Sequence, residues 1–245
     1  MIKGSVASIE SMGLADGPGI RTVVFLNGCK LRCKYCHNPE MQEIGNLNIT
    51  PSELCEKIKR NKSYFKRNNG GVTFSGGEPL LQKDFLIECF KILKSEKIHI
   101  ALDTSGVGNG DYEEILSYVD LILFDIKHVT SEGYHYITSH YINDSLKFID
   151  VLNNLDKKVW IRQVIVPSIM DNTEYIDKLV DILLQIKNVE KVDFLPYHKL
   201  GETKYEKLKK EIPFKTIEAM DEEKCNKLYN EFLERYQEKG GKFLE

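Results

Sequence analysis

Six short runs of β-branched and apolar residues recur along the chain: Ile20–Asn27, Gly71–Ser75, His99–Asp103, Leu121–Asp125, Val159–Pro167 and Lys191–Pro196. Stretches with helical spacing of their apolar residues fill the gaps, roughly Pro51 to Asn68, Lys83 to Ser95, Tyr112 to Tyr118, Asp144 to Leu155, Thr173 to Lys187 and Glu222 to Glu238. Strand–helix alternation of this kind predicts parallel strands joined by right-handed crossovers. About six such units are too few for an eight-unit barrel, so the expected fold is α/β, a partial (β/α)6 TIM-like barrel. At 245 residues the chain can bury one large core, and a single domain over residues 1–245 is expected, with the helix near 222–238 as its last packing layer. The first helix has a clear start: Thr50 as N-cap, Pro51 at the first helical position and Glu53 completing a capping box.

Composition narrows the function classes. The formal net charge is −3 with acids and bases interspersed, which gives no basic field for nucleic acid. No apolar run is long enough to span a bilayer. The N-terminal Met-Ile-Lys-Gly-Ser-Val lacks the apolar stretch of a signal peptide, so a cytoplasmic protein is expected. Cys55, Cys89 and Cys225 lie scattered in helical stretches and read as small buried hydrophobes.

In an open or partial α/β barrel, ligands gather at the carboxyl ends of the strands. The polar groups of this chain fall there. Cys29, Cys33 and Cys36 follow the first run, Ser75-Gly-Gly-Glu-Pro79 the second, Asp103-Thr-Ser-Gly106 the third, Asp125-Ile-Lys127 the fourth and Pro196-Tyr-His198 the sixth; Arg162 lies inside the fifth. The cysteines are spaced Cys-x3-Cys-x2-Cys. Closed iron–sulfur sites normally take four cysteines, so three thiolates predict a 4Fe–4S cluster with one iron open to a small-molecule ligand. A Cys3His zinc set of Cys29, Cys33, Cys36 and His37 is the rival, made awkward by the adjacency of Cys36 and His37. Gly76 and Gly77 let the backbone approach a ligand closely and offer carbonyls to an ammonium group, with Glu78 adding a charge-assisted contact. Gly-Gly before Pro79 is also plain turn chemistry.

The cysteine loop, with Tyr35 before the last cysteine, together with Gly76-Gly-Glu-Pro79, resembles the two motifs of the radical S-adenosylmethionine superfamily. Further segments, among them Asp16-Gly-Pro-Gly-Ile-Arg21, Leu102-Asp-Thr-Ser-Gly106, Asp125-Ile-Lys127 and Leu195-Pro-Tyr-His198, extend the likeness over nearly the whole chain to the glycyl-radical-enzyme activating family, in the branch that acts on pyruvate formate-lyase. The interval between the cysteine loop and the glycine motif holds only Cys55, so the chain resembles the minimal type without auxiliary clusters. The resemblance implies a 4Fe–4S cluster and S-adenosylmethionine as cofactors, and a 5′-deoxyadenosyl radical that takes a Cα hydrogen from one glycine of pyruvate formate-lyase. A minimal activating enzyme of another glycyl-radical enzyme is the nearest alternative. A flavodoxin or ferredoxin is implied as electron donor, and a monomer is expected.

The same resemblance suggests individual roles. Tyr35, Cys36, His37, Gly76, Gly77, Glu78, Asp125, Ile126, Lys127 and His198 are expected around the cofactor, with Lys127 facing the methionine carboxylate. Asp16 and Arg162 are expected near the partner's peptide; a turn role for Asp16 and a buried-carboxylate role for Arg162 are the plainer readings. Asp103 and Asp125 end neighbouring strands, and crowded carboxylates call for a cation. A monovalent cation with Thr104 lending an oxygen, or a lysine, is the expected remedy.

Overall fold

A computed structural model describes residues 2–243. These fall into two compact units, one built from residues 2–30 and Met41–Phe124, the other from Leu31–Glu40 and residues 125–243.

The first unit is a sheet with helices. Strands β1 (Val6–Gly13), β2 (Arg21–Leu26), β3 (Gly71–Gly76), β4 (His99–Thr104) and β5 (Leu121–Asp125, whose last residue belongs to the second unit) lie side by side in chain order. β2 to β5 are parallel, as the alternation predicts, and they are almost wholly buried because apolar residues occupy both of their faces. β1 is an addition to the expected set. It pairs antiparallel with β2 through two register shifts, and most of its residues are exposed or half-buried, so it carries no continuous apolar run.

The helices of this unit are α1 (Pro51–Lys59), α2 (Lys62–Arg67), α3 (Lys83–Ser95) and α4 (Glu113–Ser117). The capping box at Thr50 and Glu53 is formed. The single helix expected from Pro51 to Asn68 is instead broken after Lys59. Asn61 turns its side-chain amide to Ser11 Oγ at 3.1 Å and Thr22 Oγ1 at 2.9 Å, bonds to the strands that a continuous helix forgoes. Cys55 and Cys89 are fully buried between α1 and α3, where the Cys55 thiol donates to the Cys89 carbonyl.

The second unit contains the parallel pair β6 (Val159–Ile165) and β7 (Val189–Pro196) and the helices α5 (Ser131–Thr138), α6 (Asn143–Asn154), α7 (Thr173–Leu183), α8 (Glu202–Lys207) and α9 (Glu222–Glu238). α9 buries Cys225, Leu228, Phe232 and Tyr236 on one face, and it packs on α7 and β7 as the expected last layer. α5 and α8 were not expected. α5 is short and contains Gly133, and α8 has six residues with Tyr205 alone buried, so neither carries a readable helical period.

Candidate active site

In the first unit, the carboxyl ends of β2, β3 and β4 are knitted together by their own polar groups. Leu26 of β2 stands opposite Gly76 of β3. From there the glycine motif grips the start of the cysteine loop: Gly77 N–H donates to Leu26 O at 2.8 Å, and Glu78 N–H donates to Gly28 O at 2.7 Å. A Cβ on Gly77 would stand 2.1 Å from Gly28 O, so only glycine permits this approach. Gly76 has φ +113°, again a glycine conformation. Cys29, half-buried, is fixed by its N–H to Gln42 O at 2.9 Å.

Glu78 is 1 % exposed, and protein donors engage its carboxylate. Oε1 accepts from Leu80 N and Thr104 Oγ1, and Oε2 accepts from Ser105 N at 3.0 Å and Ser105 Oγ at 2.6 Å. Apart from Leu80 in its own turn, the carboxylate's partners are thus Thr104 at the end of β4 and Ser105 just after it. Thr104 Oγ1 also receives Gly106 N–H at 3.0 Å. Ser75 Oγ donates to Asp103 Oδ2 at 2.5 Å, tying the ends of β3 and β4. At the opposite end of the sheet, Thr73 Oγ1 donates to Asp16 O at 2.5 Å and accepts from Arg21 Nε at 2.9 Å. Arg21 is fully buried and also donates to Val72 O and Pro18 O. Its pKa falls to about 10, through burial first, with Asp120 and Asp16 opposing. Arg21 is the anchor of the Asp16 loop, a role its place in the Gly-Pro-Gly-Ile-Arg segment did not disclose.

The second unit gathers another set around residues 31–40. Two N–H groups of this stretch, Arg32 at 2.8 Å and Lys34 at 2.9 Å, donate to the last-turn carbonyls Thr138 O and Ile137 O of α5. Its other end is held by α8: Lys204 Nζ lies 2.6 Å from Asn38 Oδ1 and 2.6 Å from Glu40 Oε1. At the start of α8, a Cβ on Gly201 would come within 2.8 Å of His37 Cα. Cys33 is buried and Cys36 half-buried, with Cys36 N–H donating to Cys33 O at 2.9 Å.

Tyr35 between them donates its hydroxyl to Lys127 O at 3.3 Å. Burial chiefly, with Cys33, Asp125 and Tyr175, pushes its pKa far up against Lys127, which keeps the phenol protonated as a donor. Lys127 Nζ lies 2.8 Å from Asp125 Oδ2. Burial, the largest single influence on Lys127, opposes its charge, but Asp125, Tyr35 and Cys33 together outweigh it and hold the ammonium well above the ordinary lysine value. Ile126 is buried, and its N–H donates to Arg162 O at 3.1 Å. Arg162 is half-buried on β6, opposite Asp193 of β7.

A pocket of about 260 Å³, open to solvent, lies beside Cys36 and is walled by Tyr35, His37, Tyr197, His198 and Tyr205. His37 and His198 meet edge to face with ring centroids 5.3 Å apart. Desolvation first, then His198, Lys204 and Lys127, lowers the His37 pKa against Glu40. His198 Nδ1 accepts Leu200 N–H at 3.3 Å. The Tyr205 hydroxyl is buried with no hydrogen-bond partner, and Cys36 and Cys33 both act on it electrostatically.

These residues fit an iron–sulfur cluster. All six cysteines of the chain are thiols. Among the described residues, no three His, Cys, Asp or Glu side chains gather to hold one metal ion. A cubic cluster does not need its thiolates gathered on one point, because each binds a different iron. An orphaned hydroxyl on the pocket that Cys36 also lines suits a polar group there.

The sequence pattern of the Radical SAM superfamily matches residues 23–183. The chain belongs to the radical SAM superfamily. It is accordingly an iron–sulfur enzyme that uses S-adenosylmethionine, and the α/β fold expected from the alternation of elements is the one this superfamily has. The chain is 54 % identical over 229 residues, 93 % of its length and 96 % of the other's, to pyruvate formate-lyase-activating enzyme of Clostridium pasteurianum. It is 40 % identical to the protein of that name from Staphylococcus epidermidis, over 94 % of this chain and 95 % of the other. Two solved structures share the fold. A domain of pyruvate-formate lyase-activating enzyme from Bacteroides vulgatus aligns with TM-score 0.57 at 24 % identity, over 71 % of this chain and 98 % of that one. Streptococcus suis SuiB bound to its precursor peptide SuiA aligns with TM-score 0.70 at 19 % identity, over 90 % and 47 %.

Proposed function

We propose that the chain is the activating enzyme of pyruvate formate-lyase, acting as one functional domain, with Cys29, Cys33 and Cys36 as the ligands of its 4Fe–4S cluster. The observation that carries this reading is the near end-to-end likeness to the clostridial relative of that activity. Held by these three cysteines, the cluster would supply the one electron that splits the sulfonium of S-adenosylmethionine into methionine and the 5′-deoxyadenosyl radical that takes the glycine Cα hydrogen.

The chain's own residues bind, orient and shield; no general base is needed, since a hydrogen atom rather than a proton is removed. In this reading the amides of Gly77 and Glu78 fix the start of the cysteine loop, which leaves the glycine carbonyls for the methionine ammonium. Glu78 acts through Thr104 and Ser105. Lys127 serves the methionine carboxylate, and His37, Tyr35, Ile126 and His198 wall the nucleoside side. Of the two remedies for the carboxylates at Asp103 and Asp125, the lysine is favoured over a monovalent cation at Asp103, Thr104 and Asp125: Lys127 already stands beside Asp125, and Thr104 gives its proton to Glu78. Asp16 and Arg162 are assigned to the partner's peptide. The reading includes a flavodoxin or ferredoxin as donor, a monomer and a cytoplasmic setting, all by family resemblance.

The test is electron paramagnetic resonance on pyruvate formate-lyase mixed anaerobically with this protein, S-adenosylmethionine and dithionite. A doublet that collapses when the partner's glycine carries deuterium at Cα supports the reading. No doublet with pyruvate formate-lyase, but one with a different glycyl-radical enzyme, reassigns the partner.

A further inference from the structure

The Tyr205 hydroxyl stands out among the buried polar groups of the second unit. The residue is 6 % exposed, and its hydroxyl has no hydrogen-bond partner. Leaving a buried O–H unsatisfied forfeits its hydration without replacing it, so such a group calls for a ligand or a function. Its position is fixed rather than incidental. Tyr205 N–H donates to Gly201 O at 3.2 Å, a Cβ on Gly201 would stand 2.8 Å from His37 Cα and 3.2 Å from Cys36 O, and the neighbouring Lys204 clasps Asn38 and Glu40. The ring is thereby held against the cysteine loop and lines the pocket beside Cys36. No protein group accepts from the hydroxyl, and Cys36, Cys33, Tyr197 and Glu40 are the titratable groups that act on it electrostatically.

We propose that Tyr205 donates a hydrogen bond to a sulfur of the cluster held by Cys33 and Cys36, and so raises its reduction potential as a positioning residue. This rests on the cluster assignment above. Hydrogen bonds to the sulfurs are one of the levers that set iron–sulfur potentials. The added electron increases negative charge on the sulfurs, and a donor stabilises that state more than the oxidised one. The burial of the ring keeps competing water from the bond. α8 thus has two tasks, closing the loop with Lys204 and tuning what the loop holds with Tyr205.

The test is a redox titration, followed by the resonance signal of the reduced cluster, on anaerobically reconstituted wild type and Tyr205→Phe without S-adenosylmethionine. At the potential that half-reduces wild type, the reduced-to-oxidised ratio of the variant should fall about tenfold, a shift of about 59 mV downward for one electron. The titration reads only loaded protein, so a lower iron yield does not blunt it. In deuterium oxide, an exchangeable deuteron coupled to the reduced cluster should be present in wild type, vanish in Tyr205→Phe and persist in Tyr197→Phe. An unchanged midpoint overturns the proposal. So does a variant that loses only affinity for S-adenosylmethionine, since the hydroxyl then serves the cofactor. If wild type takes up no 4Fe–4S cluster at all, the proposed function itself falls.

Discussion

Lys127 Nζ lies 2.8 Å from Asp125 Oδ2 with side chains only 15 % and 21 % exposed, and the phenol of Tyr35 caps the lysine's backbone carbonyl. The strand end that faces the cofactor in our reading therefore carries its own counter-charge. Asp125→Asn leaves a largely buried ammonium without its partner, which costs about 2–3 kcal/mol. Urea unfolding of the apoprotein should show this. Pairing it with Lys127→Met should recover most of the stability while leaving S-adenosylmethionine affinity low. Recovery of both would remove Lys127 from cofactor binding.

Glu78→Gln tests whether that carboxylate holds the fold or the cofactor. A carboxylate only accepts, and all the contacts seen here are from donors; an amide turns one oxygen into a donor facing another donor. The expected loss is about 2 kcal/mol in unfolding free energy. If stability is unchanged and only cofactor affinity drops, the carboxylate is a direct ligand contact.

Gly77→Ala should displace Gly28, because the added Cβ would meet a backbone oxygen at 2.1 Å. Iron bound per chain after reconstitution should fall severalfold. Gly110→Ala is the control: φ is +77° but nothing lies within 4 Å, so backbone strain of about 1–2 kcal/mol is its whole effect and iron content should hold.

His128 gives a pH dependence. It is 7 % exposed, and burial mainly, with Lys178 adding to it, lowers its pKa to about 4 although a backbone hydrogen bond with Thr130 opposes this. Between that value and the ordinary 6.5, the unfolded chain binds the proton and the folded one does not, so stability rises with pH there. Acidification from pH 7 to 4 should therefore remove up to about 3 kcal/mol. His128→Asn should show a flatter profile in urea midpoints over that range. Parallel profiles would assign the acid loss elsewhere.

The chemistry was far more legible in the sequence than the frame that aims it. The cysteine spacing and the Gly-Gly-Glu motif are dictated by ligand count and close approach, which leave marks at fixed positions. Strands β2 to β5 were legible because burial on both faces leaves continuous apolar runs, and β6 because buried residues alternate along it. β1, α5 and α8 left no such marks. β1 is an edge strand with little buried surface, and α5 and α8 are too short for a period. Yet α5 and α8 hold the two ends of residues 31–40. One signal was available for α5: Thr130 is its N-cap, with Oγ1 accepting Gly133 N–H at 3.1 Å, and Thr-Ser-Glu-Gly is a readable start. The donors that engage Glu78 were hidden for a different reason. Sequence spacing places a carboxylate near a site but does not say which donors reach it first, and Thr104 and Ser105 are nearer in the fold than in the chain.

The central claim is that three thiolates of one loop hold a cluster that breaks a sulfonium bond. Its most direct measurement is product analysis on anaerobically reconstituted wild type and Cys33→Ser with S-adenosylmethionine and dithionite. The account predicts brown wild type with four irons and four sulfides, yielding equal amounts of methionine and 5′-deoxyadenosine, and neither product from the variant. Colourless wild-type protein, or intact S-adenosylmethionine under that reductant, would contradict it.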